Sequence, residues 1–235
     1  MSLTLAALDV AGCRGESAEA EARQWRALLA SKRTLDADRD RLAALPASPE
    51  IERQRPETAR RAAAYQRRLQ RYLERHAPEA GQPPSAHEGA ALHMRSDEEL
   101  RAAREYIDRA GDYRRAMEIC AAALALDPGY PPLEHQLAAA QAARYMTAAR
   151  FAPIKPGMTA AEVQRLLGPP NAHDVREYPR RGLVAWFYPK DAGGGAAAVW
   201  FRKAGSGTGP VFQVDFDAVD PHREPPQQQV GPVSG

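Results

Sequence analysis

Two cysteines, six histidines and a few closely spaced carboxylates are the groups of this chain that could carry chemistry, and their spacing argues against most of it. Cys120 sits in the small-residue helical stretch Ala116–Leu126, where a free thiol acts as an apolar filler; a nucleophile would need a positioned base, and no histidine is nominated for that role. His173 and Asp174 follow Pro170 in a loop, while His87 and His93 fall in a Pro- and Gly-rich stretch; neither set has the Cys/His spacing of a metal site. Asp215 and Asp217 flank Phe216 on a strand, which turns both carboxylates to an exposed face. Gly205-Ser206-Gly207-Thr208-Gly209 has the composition of a phosphate loop, but it runs into Pro210 and a strand instead of opening a helix, so a hairpin loop is expected. No catalytic residue, metal ligand or cofactor follows from these groups. An enzyme is not expected.

One basic cluster stands out. Arg60, Arg67, Arg71 and Arg75 form a stripe on a helix, with Arg61 and Arg68 beside it. Glu50, Glu52, Glu57 and Glu74 can balance it as a solvated face. The functional alternative is a surface resting on anionic lipid headgroups, worth on the order of 1 kcal/mol per residue, with nucleic acid as the competing ligand. The whole chain carries a formal charge of only +2, which calls for neither nucleic acid nor an acidic substrate.

The elements that must position these groups are mostly helical. Trp25, Leu28, Leu29, Leu35, Leu42 and Leu45 recur near heptad intervals up to Pro46; Ala62, Tyr65, Leu69, Tyr72 and His76 mark the face of a second helix begun by Ser48-Pro49. An antiparallel hairpin over 14–76 is expected. Residues 77–95, with Pro78, Gly81, Pro83, Pro84 and Gly89, read as a linker. Ser96 and Glu99 form a capping-box pattern ahead of Leu100, Ala103 and Ile107. The stretch from Gly111-Asp112-Tyr113 through Leu126-Asp127-Pro128 resembles the second half of a tetratricopeptide repeat, and a helix from Pro131 to Phe151 is expected to cap it, giving a helical region over 96–151.

The most informative segment is Ile154–Pro170. Thr159 and Glu162 have capping-box spacing, Met158 and Val163 that of a hydrophobic staple; Val163, Leu166 and Leu167 share a face, and Gly168-Pro169-Pro170 ends the helix. Strands are expected at Leu183–Tyr188, Ala197–Arg202 and Val211–Phe216, in three-stranded antiparallel meander order. Alternation puts Trp186 and Tyr188 on one face and Phe187 on the other. This Gly-Met-Thr helix, with Trp186-Phe187-Tyr188 and the closing Val214-Asp215-Phe216-Asp217, resembles the SmpA/OmlA (BamE-like) family. The resemblance implies a small lipoprotein of the periplasmic face of the outer membrane that binds protein and does not catalyse.

Val10-Ala11-Gly12-Cys13 resembles a lipobox, which makes Cys13 the expected lipidation site, with residues 1–13 a remnant signal. The expected fold is therefore mostly α with a small C-terminal α+β module over 152–217 and a disordered tail over 218–235. The expected function is a lipid-anchored protein-binding adaptor of the cell envelope, accessory to outer-membrane protein assembly or envelope integrity. Ile154, Met158, Thr159, Trp186, Tyr188 and Trp200 are the candidate partner contacts. Neither nucleic acid nor a small-molecule substrate is expected. The alternative is a cytosolic scaffold built on the repeat, with Cys13 unmodified.

Overall fold

The computed structural model describes residues 10–46, 48–77, 83–205 and 207–219, with side chains from Glu19 onward. The signal segment up to residue 9, the side chain of Cys13 and the tail from Asp220 lie outside the described residues. The chain is mostly helical, with a small antiparallel sheet of four strands at its C-terminal end. It divides into two units, Met1–Arg95 and Ser96–Gly235.

In the first unit α1 (Val10–Ala44) pairs with α2 (Pro49–Arg75). The contacts Asp38 to Arg61, Ser31 to Arg68 and Trp25 to Tyr72 step backwards along α1 as they advance along α2, so the helices are antiparallel. Ser48 caps α2 by accepting from the Ile51 amide at 3.3 Å, and Pro49 occupies the first turn, where its missing N–H costs nothing. Pro56 lies within α2, which runs through it unbroken. Leu28 and Leu35 meet Tyr65, Leu69 and Tyr72 in the core, and Ala91 joins them. Burial pushes the Tyr72 phenol up to about 12, with help from the Glu21 and Glu88 charges.

Ala91 belongs to α3 (Ala86–Ala110), which corrects the linker expected over 77–95. The cap is Ser85, whose amide donates to Glu88 at 2.5 Å while the Glu88 amide donates back to the Ser85 hydroxyl at 3.3 Å. No proline follows before Ala110, and the roughly 1 kcal/mol cost of Gly89 in a helix interior is offset by burying Ala91 and Met94. Ser96, expected as a cap, is instead buried within α3 and donates to Asp127 at 2.7 Å.

In the second unit, Leu100 and Ala103 of α3 pack on Ala116, Ile119, Cys120 and Ala123 of α4 (Tyr113–Leu124), and Leu133 of α5 (Pro131–Ala143) closes the cluster. Burial raises the pKa of the Cys120 thiol, which keeps it protonated and inert, as a filler. Tyr130 ties the turn before α5 to α3 by donating to Asp97 at 2.6 Å.

The single helix expected from Pro131 to Phe151 is broken. After α5 the chain turns, Met146 donates its amide to the Pro189 carbonyl at 2.7 Å and buries its side chain in the sheet core, and Thr147 caps a one-turn helix α6 (Ala148–Phe151). A tertiary bond and a core site for Met146 outweigh continuation of the helix.

Helix α7 (Ala160–Leu167) carries the expected capping box: the Thr159 amide donates to Glu162 at 2.8 Å and the Glu162 amide to the Thr159 hydroxyl at 3.3 Å. Those bonds hold the Glu162 carboxyl below its ordinary range. Val163 and Leu167 are buried, whereas Leu166 is 47% exposed and leaves the expected inner face. The two buried side chains contribute about 1.5–3 kcal/mol each on the sheet.

The sheet runs β1 (Val175–Tyr178), β2 (Leu183–Pro189), β3 (Ala196–Ala204) and β4 (Gly207–Val219), each antiparallel to the next. This corrects the three-stranded expectation. Val175-Arg176-Glu177-Tyr178 has no apolar alternation, and it becomes a strand only by pairing with Leu183–Trp186 across the turn through left-handed Gly182. The loop expected over 205–210 shrinks likewise, because Ala204 pairs with Gly207 and Lys203 with Thr208. Trp186 and Tyr188 face the α7 side with Val199 and Phe201, while Phe187 joins Ala185, Ala198 and Trp200 on the other side.

Candidate functional site

The residues expected as partner contacts divide by burial. Ile154, Trp186 and Tyr188 are only 4%, 6% and 5% exposed and belong to the sheet core, so they do not form an open contact surface. Their size and apolar character are spent on packing, with the Trp186 and Phe201 rings 4.4 Å apart. Met158 packs against the same core, while Thr159 is exposed but occupied in the cap. Trp200 is half-buried on the opposite face, its ring 5.2 Å from Tyr178 and 6.1 Å from Phe187.

Arg60, Arg67, Arg71 and Arg75 are all exposed on α2. Arg60 pairs with Glu57 at 3.4 Å; Arg67, Arg71 and Arg75 form no ion pair among the described residues. Their neighbours Arg61 and Arg68 are occupied between the helices, Arg61 with Asp38 and Arg68 with Ser31. The backbone of Cys13 lies in α1.

The possible catalytic groups do not converge. His87 and His93 are on α3, not in a linker; His87 stacks on Trp25 at 4.7 Å with Glu21 3.7 Å from its Nδ1. Asp215 is half-buried and accepts from the Asp217 amide, while Asp217 pairs with Lys190. Among the described residues no group of three His, Cys, Asp or Glu side chains is arranged to hold a metal ion. No described helix is long and apolar enough to cross a membrane.

What the second unit does build is a pocket of about 330 Å³ between the α3–α4 turn, the segment joining α5 to α6, the loop after α7 and the end of the β2–β3 hairpin. Gly111 makes this junction possible. Its φ of +60° is left-handed, and a Cβ there would lie 2.2 Å from the Pro169 carbonyl oxygen and 2.9 Å from Pro170. The Tyr188 hydroxyl donates to the Gly168 carbonyl at 3.2 Å, and burial, with the nearby Tyr113, raises its phenol pKa. Arg150 bridges the floor by donating to the carbonyls of Ala143 at 2.9 Å and Leu167 at 3.4 Å. On the hairpin side Asp191 accepts from the amides of Gly193 at 2.8 Å and Gly195 at 3.1 Å.

The Arg144–Arg150 segment, Tyr113, His173 and Phe187 were not legible as one site, because they come from parts of the chain far apart in sequence. The one local signal was Thr147, a cap residue inside a stretch otherwise read as continuous helix. His173 and Asp174 do reach the pocket. The Asp174 carboxyl is raised by burial, against the pull of Arg176 and His173.

Compared with known protein families, curated proteins and solved structures, the chain matches none.

Proposed function

We propose that the chain is a protein-binding adaptor anchored through Cys13 to the periplasmic face of a bacterial outer membrane, with a role accessory to outer-membrane protein assembly. The observation that carries this reading is the packing of a short, doubly capped helix, through Val163 and Leu167, on Trp186, Val199 and Phe201 of an antiparallel meander. That is the arrangement implied by the SmpA/OmlA resemblance, here with one added edge strand. The tetratricopeptide-like character of α3 and α4 fits the same reading, since small residues such as Ala103, Ala116 and Cys120 sit fully buried where the two helices meet. A single such pair lacks the stacked neighbours that an independent array needs, so it serves as a rigid support for the C-terminal module and not as a peptide groove.

The anchor is tested by metabolic labelling. Palmitate incorporation into the full chain expressed in a bacterial host is expected, and is expected to vanish in Cys13→Ser; equal labelling of both, or of neither, removes the anchor from the proposal.

The exposed Arg67, Arg71 and Arg75 would then lie against anionic headgroups. In flotation of the unlipidated chain with vesicles rich in anionic lipid, the Arg67→Glu/Arg71→Glu variant is expected to bind at least about ten-fold more weakly, from the loss and reversal of roughly 1 kcal/mol per residue. Binding equal to that of the wild type would leave the stripe as a solvated face.

A further inference from the structure

We infer that the pocket of the second unit binds an organic carboxylate with an apolar body. Its lining combines three arginines with apolar side chains, and two of the three, Arg144 and Arg150, form no ion pair among the described residues. Arg144 forms no ion pair or hydrogen bond among the described residues; its guanidinium lies over the Tyr145 ring, 4.8 Å from the centroid. A guanidinium so placed keeps its planar fork for two parallel N–H···O bonds, the geometry a carboxylate matches. The half-buried Arg150 directs its N–H groups at two carbonyl oxygens, which orient it without cancelling its charge. His173 adds a further nitrogen donor or acceptor at the rim. Arg114 also lines the pocket but pairs with Glu118 at 3.2 Å.

Among the described residues none of the acids that line the pocket pairs with Arg144 or Arg150. Asp112 accepts from the Arg115 amide at 2.9 Å as the cap of α4, and Asp191 accepts two amides of its own loop. The third, Asp174, faces the charges of Arg176 and His173, and burial raises its carboxyl pKa. Two unpaired guanidiniums, Arg144 and Arg150, therefore share a concavity with the apolar side chains of Met146, Leu167 and Phe187. At about 330 Å³ it lies at the small end of ligand pockets, which suits the end of a chain better than its middle. A free acid and the carboxyl terminus of a polypeptide present the same group. The inference holds whether or not Cys13 is acylated.

The test uses the full chain and three probes: N-acetylphenylalanine, its primary amide, and an acetylated peptide of several residues ending in a free phenylalanine carboxylate. Backbone amide shifts of Arg144, Tyr145, His173 and Gly194 report binding. The two acids are expected to give saturable shifts confined to these residues, with a Kd on the order of 1 mM for the small acid. The amide, and Arg144→Gln with either acid, are expected to bind at least about ten-fold more weakly. Tighter binding of the peptide than of the small acid assigns the site to a polypeptide terminus, and the reverse assigns it to a free acid. No saturable shift in the folded wild type, an amide that binds as well as its acid, or an unaffected Arg144→Gln overturns the inference.

Discussion

Gly111→Ala is expected to destabilise the second unit by about 2–5 kcal/mol, although it adds one methyl group at a half-exposed turn. Two costs combine. A φ of +60° costs an L-residue roughly 1–2 kcal/mol, and the new Cβ would meet the Pro169 carbonyl oxygen at 2.2 Å, where relief requires moving backbone and costs about 1–3 kcal/mol more. The obstructing atoms belong to the Pro169-Pro170 stop after α7, so they cannot swing aside as a long side chain would. Gly129→Ala is the control: its φ is +75°, but nothing lies within 4 Å of the added carbon, so only the conformational cost of about 1–2 kcal/mol is expected. Urea denaturation in a Trp25→Phe background, where Trp186 and Trp200 report the second unit alone, separates the two values. Equal losses at both positions would mean that the α3–α4 turn does not approach the Pro169 segment.

Phe201→Ala is expected to cost about 3–5 kcal/mol in the same assay, a large fraction of the stability of an ordinary domain. Phe201 is fully buried in the middle of β3, with Trp186 beside it and α7 above the same face. Truncation removes the transfer free energy of the ring and leaves a cavity that β3, paired on both sides, cannot close. Phe212→Ala tests the mechanism, since that ring is 43% exposed and has chiefly the Arg202 guanidinium, 4.6 Å away, for company. Its loss is expected to be below about 1 kcal/mol. A small effect at Phe201 would mean that α7 does not cover that face of the sheet.

The two Ser-x-x-Glu patterns show how far local signals reach. Ser85 with Glu88 and Ser96 with Glu99 are the same cap signature eleven residues apart, and the Pro/Gly-rich run before them favoured the second as the start. The first is the cap, because starting α3 at Ala86 buries Ala91 and Met94, and Ser96 finds Asp127 as a buried partner instead. Strand β1 was invisible for a related reason: its residues carry no alternation, and its pairing partner lies across Gly182.

What the sequence by itself determined is what neighbouring residues can decide. The antiparallel pairing of α1 and α2 follows from apolar spacing, α7 from the Thr159–Glu162 box and the Gly168-Pro169-Pro170 stop, and the cores of β2 to β4 from their Val, Trp, Phe and Tyr content. Tertiary structure alone decided that Trp186 and Tyr188 face inward, that the helix after Pro131 breaks so that Met146 can bond to Pro189, and that Tyr113, Arg144, His173 and Phe187 share one pocket. The physical reason is that capping and periodicity act within one or two turns of chain, whereas burial is allotted by whichever distant surfaces meet. The pocket is a product of that second process, and two of its walls meet closely at a glycine whose role no local pattern could reveal.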